Sequence, residues 1–100
     1  MSLETVLNSH NRLILENYVA YIKDFAELDI VLVTNIEIGV FEDPEENSQE
    51  VVITIEVFAT ANAAMSFWKR LGRHLGAWLA KQPDATQKLI REQFAIDVHW

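Results

Sequence analysis

The chain has 100 residues, half of them hydrophobic, and a formal net charge of −7, so we expect one domain, residues 1–100, with a packed core. Its acidity disfavours nucleic acid and anionic membranes as partners. The sequence has no cysteine, no basic and apolar leader and no apolar run near the roughly 20 residues of a membrane span, which excludes disulfides and thiol chemistry and predicts a cytoplasmic protein.

The negative charge is concentrated in the first part of the chain. Residues 1–60 contain two Lys or Arg against twelve Asp or Glu, a balance of −10, whereas residues 61–100 contain six against three, a balance of +3. An acidic part and a mildly basic part favour electrostatic complementarity, either within one subunit or between subunits.

The N-terminal stretch has the periodicity of an amphipathic helix from about Leu3 to Leu28. Apolar residues recur at every third or fourth position along one face. A second apolar stripe lies beside the first and consists of Leu15, Val19, Ile22 and Ala26. A helix with so broad an apolar surface is expected to contact more than one neighbour.

The next stretch, from Asp29 to Thr60, is predicted to be a long β-hairpin. Side chains alternate between faces along a strand, and each strand here has one apolar face. On the first strand this face comprises Ile30, Leu32, Thr34, Ile36, Ile38 and Val40, and on the second Val51, Ile53, Ile55, Val57 and Ala59. Most of these residues are β-branched, which suits a half-buried sheet. The segment Glu42–Gln49 between them is polar and contains Asp43-Pro44, which favours a turn.

A second long helix follows the hairpin, capped by Thr60 or Asn62 and ending near Gln82. Its predicted core stripe consists of Ala64, Trp68, Leu71, Leu75, Trp78 and Leu79. Gly72 and Gly76 lie on one flank, where each glycine costs about 1 kcal/mol relative to alanine. We therefore predict that they permit a close approach by the second stripe of the first helix.

The last part of the chain combines a short helix with a strand. Asp84 and Gln87 have the spacing of a capping box that opens a third helix, which ends at about Glu92. From Phe94 to Trp100 apolar and polar residues alternate strictly, which predicts a third strand.

Together these elements predict an α+β fold with the order α-β-β-α-α-β. Its three-stranded antiparallel or mixed sheet comprises the long hairpin and the C-terminal strand, and the two long helices cover one face. A right-handed crossover from the second strand is expected to place the third strand beside the first, in the order 2-1-3. A ferredoxin-like fold is the alternative, but it needs a strand before the first helix, and the sequence shows none.

The outer face of the sheet, away from the helices, contains the first group of candidate site residues. In-register pairing brings Glu37 and Glu56 together there, and a third strand next to the first adds Asp97 and His99. Carboxylates with an imidazole suit a divalent cation or acid–base catalysis, as in a small metal-dependent or acid–base hydrolase. The alternative is the ordinary polar face of an antiparallel sheet, with no metal site.

The same outer face is expected to expose apolar side chains at both of its ends. Val31, Val33 and Phe58 lie toward one end, and Phe41 and Val52 toward the other. Exposed apolar patches mark interaction sites, so we predict an interface with another subunit, most simply in a homodimer. The alternative is coverage by loops or by the beginning of the first helix.

The second candidate surface is a basic side of the second helix, formed by Lys69, Arg70, Arg73 and Lys81. It is small for a nucleic-acid footprint, because the neighbouring tryptophans belong to the predicted core stripe and do not alternate with the charges. It is either a solvated helix side or a docking face for an acidic protein partner.

The sequence contains none of the motifs that identify nucleotide-binding loops, metalloproteases or nucleophile elbows, and no cofactor is predicted. We therefore expect a small acidic, self-associating domain that acts by protein–protein binding and not by catalysis. A regulatory role of the inhibitor or antitoxin kind is compatible with this charge by analogy alone.

Overall fold

The computed structural model of the chain describes residues 9–45 and 48–100, and it has the predicted order of elements. These are α1 (Ser9–Leu28), β1 (Leu32–Asp43), β2 (Ser48–Phe58), α2 (Ala61–Ala80), α3 (Asp84–Gln93) and β3 (Phe94–His99). The α+β fold with a three-stranded mixed sheet is confirmed. The first turns predicted for the N-terminal helix, from Leu3 to Asn8, lie outside the described residues. None of the described helices is long and apolar enough to cross a membrane.

The sheet has the strand order β1-β2-β3, with β1 antiparallel and β3 parallel to β2. The predicted order 2-1-3 is therefore wrong, and among the described strands β1 lies at an edge. The hairpin occupies only one edge of β2 and leaves the other edge for β3. The crossover through α2 and α3 brings β3 to that second edge without passing over β1. The central position of β2 is reflected in Val51, Ile53 and Ile55, which are completely buried.

A β-bulge in β1 decides which of its side chains face the helices. Val33 lies opposite Val57 and Asn35 lies opposite Glu56, so Thr34 is an extra residue. Beyond Thr34 the even-numbered residues face the core, as predicted, but before it the odd-numbered residues do so. An extra residue in a strand reverses the face of the sheet to which each preceding side chain points.

The prediction that Val31 and Val33 lie on the outer face is consequently wrong. Val31 is 8% exposed, and Val33 packs against the core from a half-buried position. Their neighbours Ile30 and Leu32 are instead 93% and 62% exposed. The alternation in the sequence was correct, but its phase changes at Thr34.

The core lies between the inner face of the sheet and the helices α1 and α2. Tyr18 of α1 packs against Trp78 of α2, with ring centroids 5.6 Å apart, and Phe25 packs against Phe67 at 5.7 Å. The predicted burial of Leu71 and Leu75 in α2 is confirmed. Burial of this apolar surface is the main favourable term in folding.

Two details of α2 differ from the prediction. Phe67 is completely buried, whereas Trp68, which was placed in the core stripe, is 38% exposed. Gly72 and Gly76 lie on an exposed flank, and no atom outside their own helix would contact a Cβ at either position. The predicted close approach of α1 is therefore wrong, because α1 packs on the opposite flank, against Phe67 and Trp78.

The ends of the later helices are set by local hydrogen bonds. The Thr60 hydroxyl accepts a hydrogen bond from the Ala63 N–H at 3.2 Å, which makes Thr60 the N-cap of α2. The predicted capping box at Asp84 does not form, since Pro83 is the N-cap of α3. Gln87 donates to the carbonyl of Gln82 instead, at 2.9 Å.

Candidate functional site

None of the described helices covers the outer face of the sheet, which has three zones along the strands. Two apolar zones lie at its ends, and a polar strip separates them. The polar strip is formed by Asn35 and Glu37 of β1, Thr54 and Glu56 of β2, and Asp97 and His99 of β3. Because all three strands contribute, the strip crosses the whole sheet.

The first apolar zone consists of Leu32 and Phe58, which are directly opposite each other on β1 and β2. They are 62% and 80% exposed. Ile30 precedes Leu32 by two residues and is 93% exposed. Two large apolar side chains paired across strands and open to water are unusual for a folded surface. We call this pair the Phe58 zone.

The second apolar zone is at the turn end of the hairpin. Phe41 of β1 is 61% exposed, and its cross-strand neighbour is Glu50. Val52 of β2 is half-buried between Gly39 and Ala95 on the two flanking strands. The structure thus places Phe41, Val52 and Phe58 on the outer face, where they were predicted, and their role in an interface stays a prediction.

The polar strip satisfies much of its own hydrogen bonding. The Asn35 side-chain amide donates to the Glu37 carboxylate at 2.9 Å. On the opposite edge of the sheet, His99 Nε2 lies 2.7 Å from Asp97 Oδ2, and both side chains are more than half exposed. An Asp–His pair on an open surface lacks the enclosure that concentrates catalytic electrostatics.

The four residues predicted as a metal or acid–base site are not brought together. Glu37 and Asp97 flank Thr54 on opposite sides, so two strand spacings of about 4.8 Å separate their backbones. Among residues 9–45 and 48–100, no three His, Asp or Glu side chains form a group suited to a metal ion. The prediction assumed β3 beside β1, whereas β3 pairs with β2, which places Glu56 next to His99 but leaves Glu37 apart.

The basic side of α2 is smaller than predicted because Arg70 is engaged within the chain. Its guanidinium donates two hydrogen bonds to Asp29, at 2.7 and 2.9 Å. The Asp29 side chain is 7% exposed and that of Arg70 is 30% exposed. Lys69, Arg73 and Lys81 are exposed on the helix surface. Arg70 is therefore a structural residue that joins α2 to the connection between α1 and β1.

This ion pair changes the acidity of both partners. Hydrogen bonding to Arg70, which outweighs the opposing effect of burial, lowers the pKa of the Asp29 carboxyl below its usual 3.8. The same hydrogen bond raises the pKa of Arg70. Both shifts favour the charged pair, so the contact persists across the physiological pH range.

Sequence reasoning missed a groove along the free edge of β1. The groove has a volume of about 610 Å³ and lies between the last turns of α1 and the beginning of β1. It is lined by Lys23, Ala26, Glu27, Asp29 and residues 30–36. The apolar residues Ile30 and Leu32 were the signal in the sequence that could have indicated this groove. The predicted strand order placed β1 at the centre of the sheet, where it would have no unpaired edge.

Comparisons of the chain with protein-family models, characterised proteins and solved structures found no match.

Proposed function

We propose that this domain acts by binding protein, and that it self-associates as a homodimer through the outer face of its sheet. The observation that carries the proposal is the Phe58 zone, in which Leu32 and Phe58 are directly opposite each other and 62% and 80% exposed. Covering apolar surface of this kind is worth roughly 25 cal/mol per Å². A partner subunit would remove both side chains from water.

The polar strip is compatible with the centre of such an interface. Asn35 binds Glu37 and His99 binds Asp97 within the chain, so these carboxylates already have partners when a second face approaches. The amide and imidazole groups would then supply hydrogen bonds that fix the register between subunits. Hydrogen-bonded carboxylates are less costly to bury than isolated ones.

The remaining parts of the proposal concern a protein partner, the location and the role. Lys69, Arg73 and Lys81 offer a docking side for an acidic partner, because all three are exposed on α2 or at its end. A cytoplasmic location is supported by the absence of cysteine from the sequence. A regulatory role of the inhibitor or antitoxin kind rests on analogy.

The test is sedimentation of the wild-type protein beside Phe58→Glu. A charge buried without a partner at the interface should weaken association by at least about 3 kcal/mol, on the order of a hundredfold in Kd. We expect a dimeric wild type and a variant that is shifted to monomer but still folded by circular dichroism. Leu13→Glu is the matched control, since Leu13 is 55% exposed but lies on α1. A monomeric wild type, or equal behaviour of the two variants, would refute an interface at Phe58.

A calorimetric titration with Zn²⁺ or Mn²⁺ distinguishes binding from metal-dependent hydrolysis. We expect no saturable uptake that depends on Asp97 or His99, because neither belongs to a group of three ligands among the described residues. Stoichiometric binding that disappears in Asp97→Ala would replace the proposal by the metal-dependent one.

A further inference from the structure

The outermost strand of the sheet, β1, has a free side. It is twelve residues long, and within residues 9–45 and 48–100 no strand pairs with the side that faces away from β2. An edge strand presents unpaired backbone N–H and C=O groups and is a template for another strand. Natural proteins protect such edges with bulges and charged residues, and β1 has a bulge at Thr34. From Asn35 to Asp43, however, its register is regular.

The groove beside β1 follows the backbone of the strand and not one of its faces. Its wall includes every residue from 30 to 36, although neighbouring residues of a strand point to opposite faces. Lining by residues of both faces, from Leu32 to Ile36 of β1, places the groove alongside the edge of the strand. Its second wall is the C-terminal part of α1, with Lys23 and Glu27. Its volume of about 610 Å³ is within the range of ligand-binding clefts.

Apolar side chains on both faces of the sheet are left open next to this edge. On the inner face Ile38 is 39% exposed, although its partner on β2, Ile53, is completely buried. On the inner face the helices therefore cover β2 but do not extend to the edge of β1 that faces away from β2. On the outer face Phe41 is 61% exposed. A further strand beside β1 would extend both faces and cover these side chains.

The charge along β1 decides which kind of strand fits. Glu37 and Glu42 are exposed on the strand, while the groove is lined by one residue of each charge, Lys23 and Glu27. A second copy of β1, paired antiparallel about Ile38, would place its own Glu37 diagonal to Glu37, about 7–8 Å away. That like-charge arrangement disfavours a second copy. A strand with Lys or Arg beside Glu37 and apolar residues beside Ile38 would complement both.

We infer that the free edge of β1 binds an extended segment of another protein in which apolar residues alternate with Lys or Arg. Backbone hydrogen bonds along residues 35–43 would provide affinity, and alternate side chains would provide specificity. The apolar set would extend the inner face from Ile38, and the basic set would lie beside Glu37 on the outer face. The end of the segment would enter the groove next to Glu27. The inference deepens the proposed protein-binding function, but the segment pairs with the edge of β1, whereas self-association is proposed for the outer face of the sheet at Phe58.

The first experiment measures binding of a fluorescent eight-residue peptide of alternating Lys and Val to the full chain by anisotropy. We expect saturable binding at one peptide per chain. A Glu–Val repeat, and the Lys–Val peptide with a central proline that blocks strand pairing, should bind at least about tenfold more weakly. Equal binding of all three peptides would overturn the inference.

Variants of the chain locate the contact. Glu37→Lys and Ile38→Lys should each weaken binding about tenfold or more, whereas Glu92→Lys is the matched control on α3 and should leave it unchanged. An equal effect of Glu92→Lys would mean general attraction between a basic peptide and an acidic protein, and would refute the edge site. Circular dichroism of each variant establishes that it is folded.

Hydrogen exchange distinguishes strand addition from other modes of binding. The peptide should increase protection of those alternate backbone amides of residues 35–43 that face away from β2, and the amides of β3 should not change. Protection confined to β3, the other edge of the sheet, would overturn the assignment. Phe58→Glu should retain peptide binding even where it abolishes self-association, so the two proposals can fail independently. If the wild type and Phe58→Glu are both dimeric and Ile38→Lys is monomeric, the edge of β1 binds a second copy of the chain and the inference is refuted.

Discussion

Asp29 and Arg70 are 41 residues apart in sequence and form a two-fold hydrogen-bonded ion pair, with Oδ1 2.7 Å from Nη2 and Oδ2 2.9 Å from Nε. Oδ1 of Asp29 also accepts a hydrogen bond from the Val31 N–H at 3.0 Å. The carboxylate therefore holds the end of α1, the start of β1 and the middle of α2 together. This connection directs Val31 into the core.

Acid should remove the contribution of this pair to stability. The folded-state pKa of Asp29 lies below its usual 3.8, so the unfolded chain takes up the proton first as the pH falls. The contribution is fully present above about pH 4 to 5 and is lost as the pH decreases through the folded-state pKa. Urea unfolding should show Asp29→Asn to be less stable than wild type near neutral pH, with the difference vanishing in strong acid.

Arg73→Met provides the control for this prediction. Arg73 is an exposed arginine one turn along the same helix, and no comparable loss is expected from its replacement. A difference between wild type and Asp29→Asn that is independent of pH would show that the charge of Asp29 does not stabilise the fold.

The core of α2 should be sensitive to truncation. Leu75 is 7% exposed and belongs to the main cluster, so Leu75→Ala should cost about 2–5 kcal/mol. Leu13→Ala makes the same chemical change at a residue that is 55% exposed, and should alter stability by about 0.5 kcal/mol or less. Thermal or denaturant unfolding measures both. Similar losses in the two variants would contradict the assigned orientation of the helices.

The exposed flank of α2 should tolerate a side chain at Gly76. A Cβ there would meet no atom outside the helix within 4 Å, and alanine is favoured over glycine in a helix by about 1 kcal/mol. Gly76→Ala should therefore raise the free energy of unfolding by about that amount, and Gly72→Ala should behave alike. Should Gly76→Ala destabilise the protein in a concentration-dependent manner, this flank would be covered by another subunit.

Deletion of Thr34 tests the bulge. Val33 and Asn35 would become consecutive and each would keep its partner on β2, Val57 and Glu56, so every side chain would remain on its own face. The loss should be about 1 kcal/mol, the value of the hydrogen bond from the Thr34 hydroxyl to the Glu56 carbonyl.

Thr54 is the contrasting deletion, because it lies in a regular part of β2 between the buried residues Ile53 and Ile55. Its removal would turn half of β2 to the other face and expose buried side chains worth about 1.5–3 kcal/mol each. We expect an unfolded chain by circular dichroism. Equal tolerance of both deletions would show that the register of the hairpin is not fixed.

The residues of the candidate surface show how far sequence reasoning reached. Phe41, Val52 and Phe58 lie on the outer face as predicted, because strict alternation fixes side-chain direction wherever the register is regular. Val31 and Val33 do not, because one inserted residue at Thr34 reverses the phase and no local signal in the sequence marks it. Leu32 was consequently missed as the partner of Phe58.

The sequence by itself determined the elements and their order, since periodicity and turn chemistry are local properties. Alternation of β-branched residues specified the hairpin, and apolar spacing specified the helices and the burial of Leu71 and Leu75. The tertiary structure decided the strand order, the flank on which α1 packs and the residues left at the edge of the sheet. Those features depend on contacts between distant segments, such as Asp29 with Arg70 and β2 with β3. Their free energies are set by the geometry of the packed chain, which local patterns do not specify.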